Sequence, residues 1–178
     1  MRVGMEHEMA LREVAGDGFV LEPQVAAHAE EMFVVLADPA IYEYENDPPR
    51  SPEWLRERYA RLESRRSSDG TQGWLNWVIR LPDGRLAGYV QATVYPDRHA
   101  AIAYELASVH WGRGLGRRAV EAMIAELAQA HGVRSLSAVL KAANRRSFHL
   151  LERLGFSLVD EPCGGGLEPD EIRMRRDA

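Results

Sequence analysis

Cysteine is almost missing: the 178 residues contain a single one, Cys163, so no internal disulfide can form and the cytoplasm is the expected setting. Long apolar runs are missing too. Nothing approaches the roughly 20 residues of a membrane span, and the opening Met1-Arg2-Val3-Gly4-Met5-Glu6-His7-Glu8 lacks the apolar centre of a secretory signal. Nor is there an excess of basic charge. The formal net charge is -5, which excludes broad nucleic-acid binding, because that affinity comes from neutralising many phosphates. His28, His99, His131 and His149 show no ligand spacing with the lone cysteine, so no metal is expected. Internal repeats and domain linkers are absent as well. One domain over residues 1–178 is expected, with 1–15 as a flexible lead.

What is present is ordinary in bulk and informative in order. Hydrophobic residues make up 46% and charged residues 28%, which suits a packed globular domain. Gly18 to Leu21 reads as a first strand. Pro23 opens a helix reaching about Ala37, whose Ala26, Ala29, Phe33 and Leu36 recur at helical spacing. Asp38-Pro39 stops it, and Ile41 to Pro49 reads as an aromatic, acidic loop. Ser51-Pro52-Glu53 starts a second helix, which runs to about Arg66 with Leu55, Tyr59 and Leu62 inward. From Trp74 the period falls to two. Trp74 to Arg80, Arg85 to Tyr95 and Ala100 to Leu106 form a meander with turns at Pro82-Asp83-Gly84 and Pro96-Asp97-Arg98-His99. A helix from Leu115 to His131-Gly132 and a strand from Val133 to Leu140 follow, making a strand-helix-strand unit with parallel strands. Asn144 caps a helix from Arg145 to Leu154. Phe156 to Asp160 and Glu171 to Met174 are the last strands, separated by the loop Cys163-Gly164-Gly165-Gly166.

Between the third meander strand and the long helix lies Trp111-Gly112-Arg113-Gly114-Leu115-Gly116-Arg117-Arg118-Ala119. Its glycines permit close backbone approach, and a helix N-terminus offers unpaired N–H groups and partial positive charge to an anion. Arginines cluster here and again at Arg145 and Arg146, which suits a small, highly charged ligand. The phosphate loop of NTPases requires Gly-Lys-Ser/Thr, whereas Arg117-Arg118 follows Gly116. A dinucleotide fold requires Gly-x-Gly-x-x-Gly after a first strand. Here the spacing is Gly-x-Gly-x-Gly, after a meander.

The chain resembles the GNAT N-acetyltransferase superfamily, and more closely its ribosomal-protein-alanine acetyltransferase-like branch. Trp111 to Gly116 is similar to the acetyl-CoA pyrophosphate motif Gln/Arg-x-x-Gly-x-Gly/Ala. Asn144-Arg145-Arg146-Ser147 through Leu154-Gly155-Phe156 is similar to that family's Asn-x-x-Ser helix ending in Leu-Gly-Phe. The resemblance implies an α/β (α+β) fold: a mixed, mostly antiparallel sheet flanked by helices, with a splayed parallel strand pair near Leu106 and Leu136 holding acetyl-CoA. Trp111 departs from the motif and removes one polar side chain while leaving the backbone cradle. Leu151 stands where many members place the tyrosine that protonates the departing thiolate.

Further roles follow from that resemblance. Leu106, Ala107 and Ser108 would hydrogen-bond pantetheine through their backbone. Gly112, Gly114, Leu115 and Gly116 would supply amides to the pyrophosphate, and Arg113 and Arg117 would pair its charge. Asn144 and Ser147 would contact the cofactor. Glu105 is the candidate base, because an amine must lose a proton to attack. Ser147 is a second catalytic candidate, assisting the thiolate. Acceptor recognition falls to the early segments, where Tyr42, Glu43, Tyr44 and Glu45 offer an aromatic and acidic wall to a cationic amine, with Asn76 and Gln91 adding polar contacts. The implied activity is transfer of an acetyl group from acetyl-CoA to a primary amine by direct attack on the thioester. The amine would belong to a small molecule or a protein N-terminus, with no nucleic acid or membrane involved, and a homodimer stays compatible with the sequence. A non-catalytic acyl-CoA-binding module and a nucleotide-binding regulator are the alternatives.

Overall fold

The computed structural model describes residues 11–44, 46–159 and 166–178; Glu45 and Cys163, singled out above, lie outside them. The elements are β1 (Val14–Gly16), β2 (Phe19–Pro23), α1 (Ala29–Val35), α2 (Pro52–Leu62), β3 (Gly73–Arg80), β4 (Leu86–Val94), β5 (His99–Leu106), α3 (Leu115–His131), β6 (Ser135–Lys141), α4 (Arg145–Arg153), β7 (Ser157–Leu158) and β8 (Glu171–Asp177). The strands form one sheet in the order β1-β2-β3-β4-β5-β6-β8-β7. Its neighbours are antiparallel except for β5 and β6. This is the mixed, mostly antiparallel arrangement expected of the family. No described helix is long and apolar enough to cross a membrane.

Both faces of the sheet are covered, and the alternation in β3 shows how. Leu75, Trp77 and Ile79 pack with Ala119, Val120, Met123 and Leu127 of α3. Val78 points the other way, onto Ala29 and Met32 of α1 and Leu55 and Tyr59 of α2. Successive strand residues therefore bury on opposite faces. That is why β3 lacks the polar alternation of a half-exposed strand.

The parting of the two parallel strands positions everything that follows. β5 and β6 pair only from His99 opposite Ser135 to Ala101 opposite Ser137. Beyond that, β5 stays on β4 as far as Leu106, and β6 stays on β8 as far as Lys141. The two parallel strands thus part into a wedge. Leu136 pairs with Ala100, so the opening lies further along β6 than the expected Leu106 and Leu136 pair, toward Leu140.

Several boundaries differ from expectation. Pro23 ends β2 opposite Trp77 instead of opening a helix. The Gln24 N–H continues the ladder by donating to the Asn76 carbonyl, and α1 begins only after a short 3-10 turn at Ala26–His28. Helix α2 stops at Leu62, because Arg65 takes a left-handed φ of 57° and Arg66 bridges to Gly73. His99 belongs to β5 and not to the turn before it. β8 runs past Met174 to Asp177 because β6 pairs it throughout. The lead is held from Arg12 onward: its guanidinium forms two 2.8 Å bonds to the buried Glu126, and its carbonyl accepts from the Trp77 indole N–H. At the far end of β6, the Lys141 ammonium sits among Glu168, Asp170 and Glu171 and ties the start of β8 in place.

Candidate functional site

Two clefts open on either side of the wedge and share a wall. The first encloses about 490 Å³ and is lined by Tyr42, Tyr44, Trp54, Tyr59, Tyr89 and Gln91, among others. The second encloses about 360 Å³ and runs past Trp111, Gly112, Gly114, Gly116, Arg117 and Arg146. Ile41, Tyr104, Glu105, Asn144 and Ser147 line both. A ligand in one cleft therefore meets a ligand in the other at these side chains.

The glycine run builds the second cleft from backbone. Gly112 and Gly114 hold φ of 73° and 74°, a left-handed conformation that any other residue adopts only with strain. Gly114 is the N-cap of α3, and no side chain caps that helix. The first-turn amides of a 17-residue helix thus face the cleft without a protein anion. Gly116 serves a different purpose: a Cβ there would come within 3.3 Å of Leu150 on α4, so the glycine lets α3 and α4 approach. Arg118 turns inward and braces the loop, donating to the carbonyls of Arg113 and Asp17. The donor set, bare helix amides with arginines beside them, fits a polyphosphate such as the pyrophosphate of coenzyme A.

Trp111 proves more than a lost polar group. Its indole N–H donates to the Leu106 carbonyl at 2.9 Å, and the Arg146 guanidinium stacks over its ring at 3.3 Å. A guanidinium on an aromatic face is attracted to the ring's negative charge. Arg146, one of the arginines whose clustering suited a small charged ligand, and Arg153, which the sequence had not marked, join Arg117 on the cleft wall. The β5 end commits other backbone groups internally: Ala107 N–H donates to Ala87 O, and Ser108 N–H donates to an Asp38 carboxylate oxygen at 2.6 Å. Hydrogen bonding from Ser108, by its side chain first and its amide second, holds Asp38 below the usual carboxylate range. Asp38 also caps the turn carrying Tyr42, so it couples the early loop to the end of β5.

Of the residues marked from sequence, Leu106, Gly112, Gly114, Gly116, Arg117, Asn144 and Ser147 line the second cleft. Tyr42, Tyr44, Gln91 and Glu105 line the first. Ala107, Ser108, Arg113 and Leu115 are off both walls, and the Leu115 side chain is buried in the core. Asn76 is also off the wall: it is 5% exposed, opposite Gln91 within the sheet. Strand direction alone could not say which pleat faced the cleft.

Glu105 lies opposite Tyr89 in the β4 and β5 ladder, and the Asn46 amide donates to its carboxylate at 3.1 Å. The Tyr89 hydroxyl, in contact with the same carboxylate, has its pKa raised well above the ordinary value, by burial first and by that charge second. Tyr42 donates to the Leu36 carbonyl at 2.7 Å, and burial pushes its pKa up to about 12. Deeper in the first cleft, the buried Gln24 and Tyr59 side chains lie against each other on the wall. On the other face of β5, Tyr104 Oη lies 2.6 Å from Ser147 Oγ. Asn144 caps α4 by accepting from the Ser147 N–H, which leaves the Ser147 hydroxyl out of the capping role. Leu151, one turn further, is 1% exposed and packs into the core.

The acetyltransferase (GNAT) domain model matches residues 19–157. A search of curated proteins finds no match to the sequence. Among solved structures, the chain is similar to ribosomal-protein-S5-alanine acetyltransferase from Vibrio fischeri, with a TM-score of 0.78 and 18% identity over 93% of this chain and 96% of that one. It is similar to ribosomal L7/L12 alpha-N-protein acetyltransferase in complex with coenzyme A, with a TM-score of 0.77 and 17% identity over 93% and 97%. It is also similar to a spermidine N-acetyltransferase chimera from Vibrio cholerae and hSSAT, with a TM-score of 0.72 and 20% identity over 89% and 95%.

Proposed function

Because the chain belongs to the GNAT acetyltransferase family, we propose that it moves an acetyl group from acetyl-CoA to a primary amine by direct attack of the amine on the thioester. The observation that carries this reading is the shared wall: a phosphate-binding groove and an aromatic, acidic cleft meet at Tyr104, Glu105, Asn144 and Ser147. The helix amides of α3 with Arg117, Arg146 and Arg153 would hold the phosphates. Acetyl-CoA supplies an activated carbonyl with a thiol as leaving group.

An α-amine has a pKa near ~7.7 to 8.0 and a lysine amine one near ~10.4, so the acceptor must give up a proton to attack at neutral pH. Glu105 takes that proton on the α1 and α2 side of β5. Tyr42, Tyr44 and Tyr89 hold the incoming ammonium by their ring faces and hydroxyls.

The acceptor is the α-amino end of a polypeptide. One of the similar structures is named as an alpha-N-protein acetyltransferase and another as a ribosomal-protein-alanine acetyltransferase, and the resemblance in the Asn144 to Phe156 segment points to the same branch. A polyamine is the second reading, favoured by the acidic and aromatic wall. Arg58 lies in the same cleft, and its charge would repel the far end of a polycation. The single cysteine and the expected single domain agree with a cytoplasmic enzyme of one catalytic unit.

The test has two parts. Acetylation of a panel of peptides, polyamines, aminoglycosides and small amines, with mass detection of products, should favour peptide α-amines; product only from polyamines would reverse the order of the two readings. Gly114→Glu should weaken acetyl-CoA binding at least about tenfold in calorimetry. It puts a side chain on a left-handed residue, 3.2 Å from Arg118 at its first atom, and an anion at the helix N-terminus. Retained affinity would reject the cradle.

A further inference from the structure

The acid side of the reaction needs a group that Leu151 cannot supply. A thiol has a pKa near ~8.5, so the departing sulfur leaves more readily if a proton meets it. One hydroxyl pair lies on the wall common to both clefts: Tyr104 Oη and Ser147 Oγ, 2.6 Å apart. The pair joins β5 to α4 across the wedge. We propose that Tyr104 positions the Ser147 hydroxyl toward the departing sulfur and replaces its proton, so that the two act together as the acid the chain lacks at Leu151.

The step balances. As the amine nitrogen bonds to the acetyl carbon and the C–S bond breaks, the bonding pair goes to sulfur. Ser147 passes its hydroxyl proton to that sulfur, and Tyr104 passes its phenolic proton to Ser147. The first proton, which Glu105 takes from the ammonium before attack, goes to solvent; the second, lost by the nitrogen once it has bonded to the acetyl carbon, passes through Glu105 and water to Tyr104, leaving a neutral amide and a neutral thiol. No net charge accumulates, and no other reactant is needed.

Three further features support the pair. Asn144 already caps α4, so the serine hydroxyl is not engaged at the helix end. Burial raises the Tyr104 pKa to about 12, against the opposing Ser147 hydrogen bond and, after it, the Arg146 charge; the phenol therefore remains a proton donor throughout the neutral range. Glu105 and Tyr104 are neighbours on one strand, so they project to opposite faces. Base and acid thus lie on opposite faces of β5, at the edge of the wedge.

The inference rests on the proposed function, and its test separates the two. Tyr104→Phe keeps the ring and removes the hydroxyl. Its kcat should fall on the order of 10²-fold with little change in KM for acetyl-CoA. Added to Ser147→Ala, it should cost no more than about twofold further, because two members of one relay are not additive. A second readout needs no turnover: calorimetry at about pH 9, above the thiol pKa, comparing coenzyme A with desulfo-coenzyme A. The wild type should prefer the sulfur-bearing ligand, and both Tyr104→Phe and Ser147→Ala should lose that preference. Wild-type kcat in Tyr104→Phe, additive losses in the double variant, or a retained sulfur preference in Ser147→Ala would each overturn the relay. A wild type that binds coenzyme A but acetylates no amine counts against the proposed function alone, since the sulfur comparison still decides the pair.

Discussion

Replacing Glu105 by Gln should lower kcat by about 10²- to 10⁴-fold, the usual range for removing a positioned acid or base. The substitution keeps the shape and leaves an oxygen for the Asn46 amide that now donates at 3.1 Å, so the first cleft keeps its form. What disappears is the capacity to accept a proton. The variant should then depend on the fraction of acceptor already neutral, and its rate should climb as pH rises through the amine's own pKa, about 7.7 to 8.0 for an α-amine. Steady-state rates between pH 6 and 10 make the comparison. An unchanged rate and profile would leave Glu105 as a carboxylate of the cleft rim only.

Gly88→Ala carries the second largest effect, and it acts through the fold. Gly88 lies opposite Leu106 where β4 crosses the end of β5. A Cβ there would sit 2.1 Å from the Glu105 carbonyl oxygen and 2.8 Å from the Leu106 Cα. Both are backbone atoms held by the ladder, so no side chain can swing aside. Overpacking of this kind costs about 3 kcal/mol, or roughly 6 to 12 °C in Tm for a chain of this size. Because the displaced segment carries Glu105 and leads into the glycine run, the stabilisation that acetyl-CoA gives in a thermal melt should shrink as well. A melt unchanged from wild type would mean that β5 can move away without loss, contrary to its place between two covered faces.

Most of the helices and the meander could be read from the chain because each is specified locally. Helix α3 shows its buried stripe from Ala119 to Leu127, α4 its cap at Asn144, and the turns their Pro-Asp-Gly chemistry. The glycine run was equally plain, since positive φ and bare helix amides are properties of a few consecutive residues. Pro23 misled, because a proline suits the end of a strand as well as the start of a helix, and only its partner Trp77 decides between them. Strand β1 was hidden for a similar reason: three residues carry no period of their own. The position of the wedge depends on where β5 and β6 stop pairing, which neither strand encodes alone. Tyr104 went unmarked because its meaning comes from Ser147, 43 residues later. Asp38 looked like a helix stop, yet its carboxylate also holds the Ser108 amide. Long-range pairs of this sort separate a list of plausible polar residues from a site.

The clamp around Lys141 bears on what an acetylating protein does to itself. Lys141 is the only lysine in the chain; every other basic side chain apart from histidine is arginine, whose guanidinium stays protonated and is a poor nucleophile. Glu168 and Asp170 hydrogen-bond that one ammonium and raise its pKa, with Glu171 also in ion-pair range. The neutral amine that would attack a thioester is thus suppressed at the single lysine able to form it. A fold that presents an activated acyl group to passing amines leaves its own side chains almost nothing to offer in competition, and the acyl group is kept for an outside acceptor.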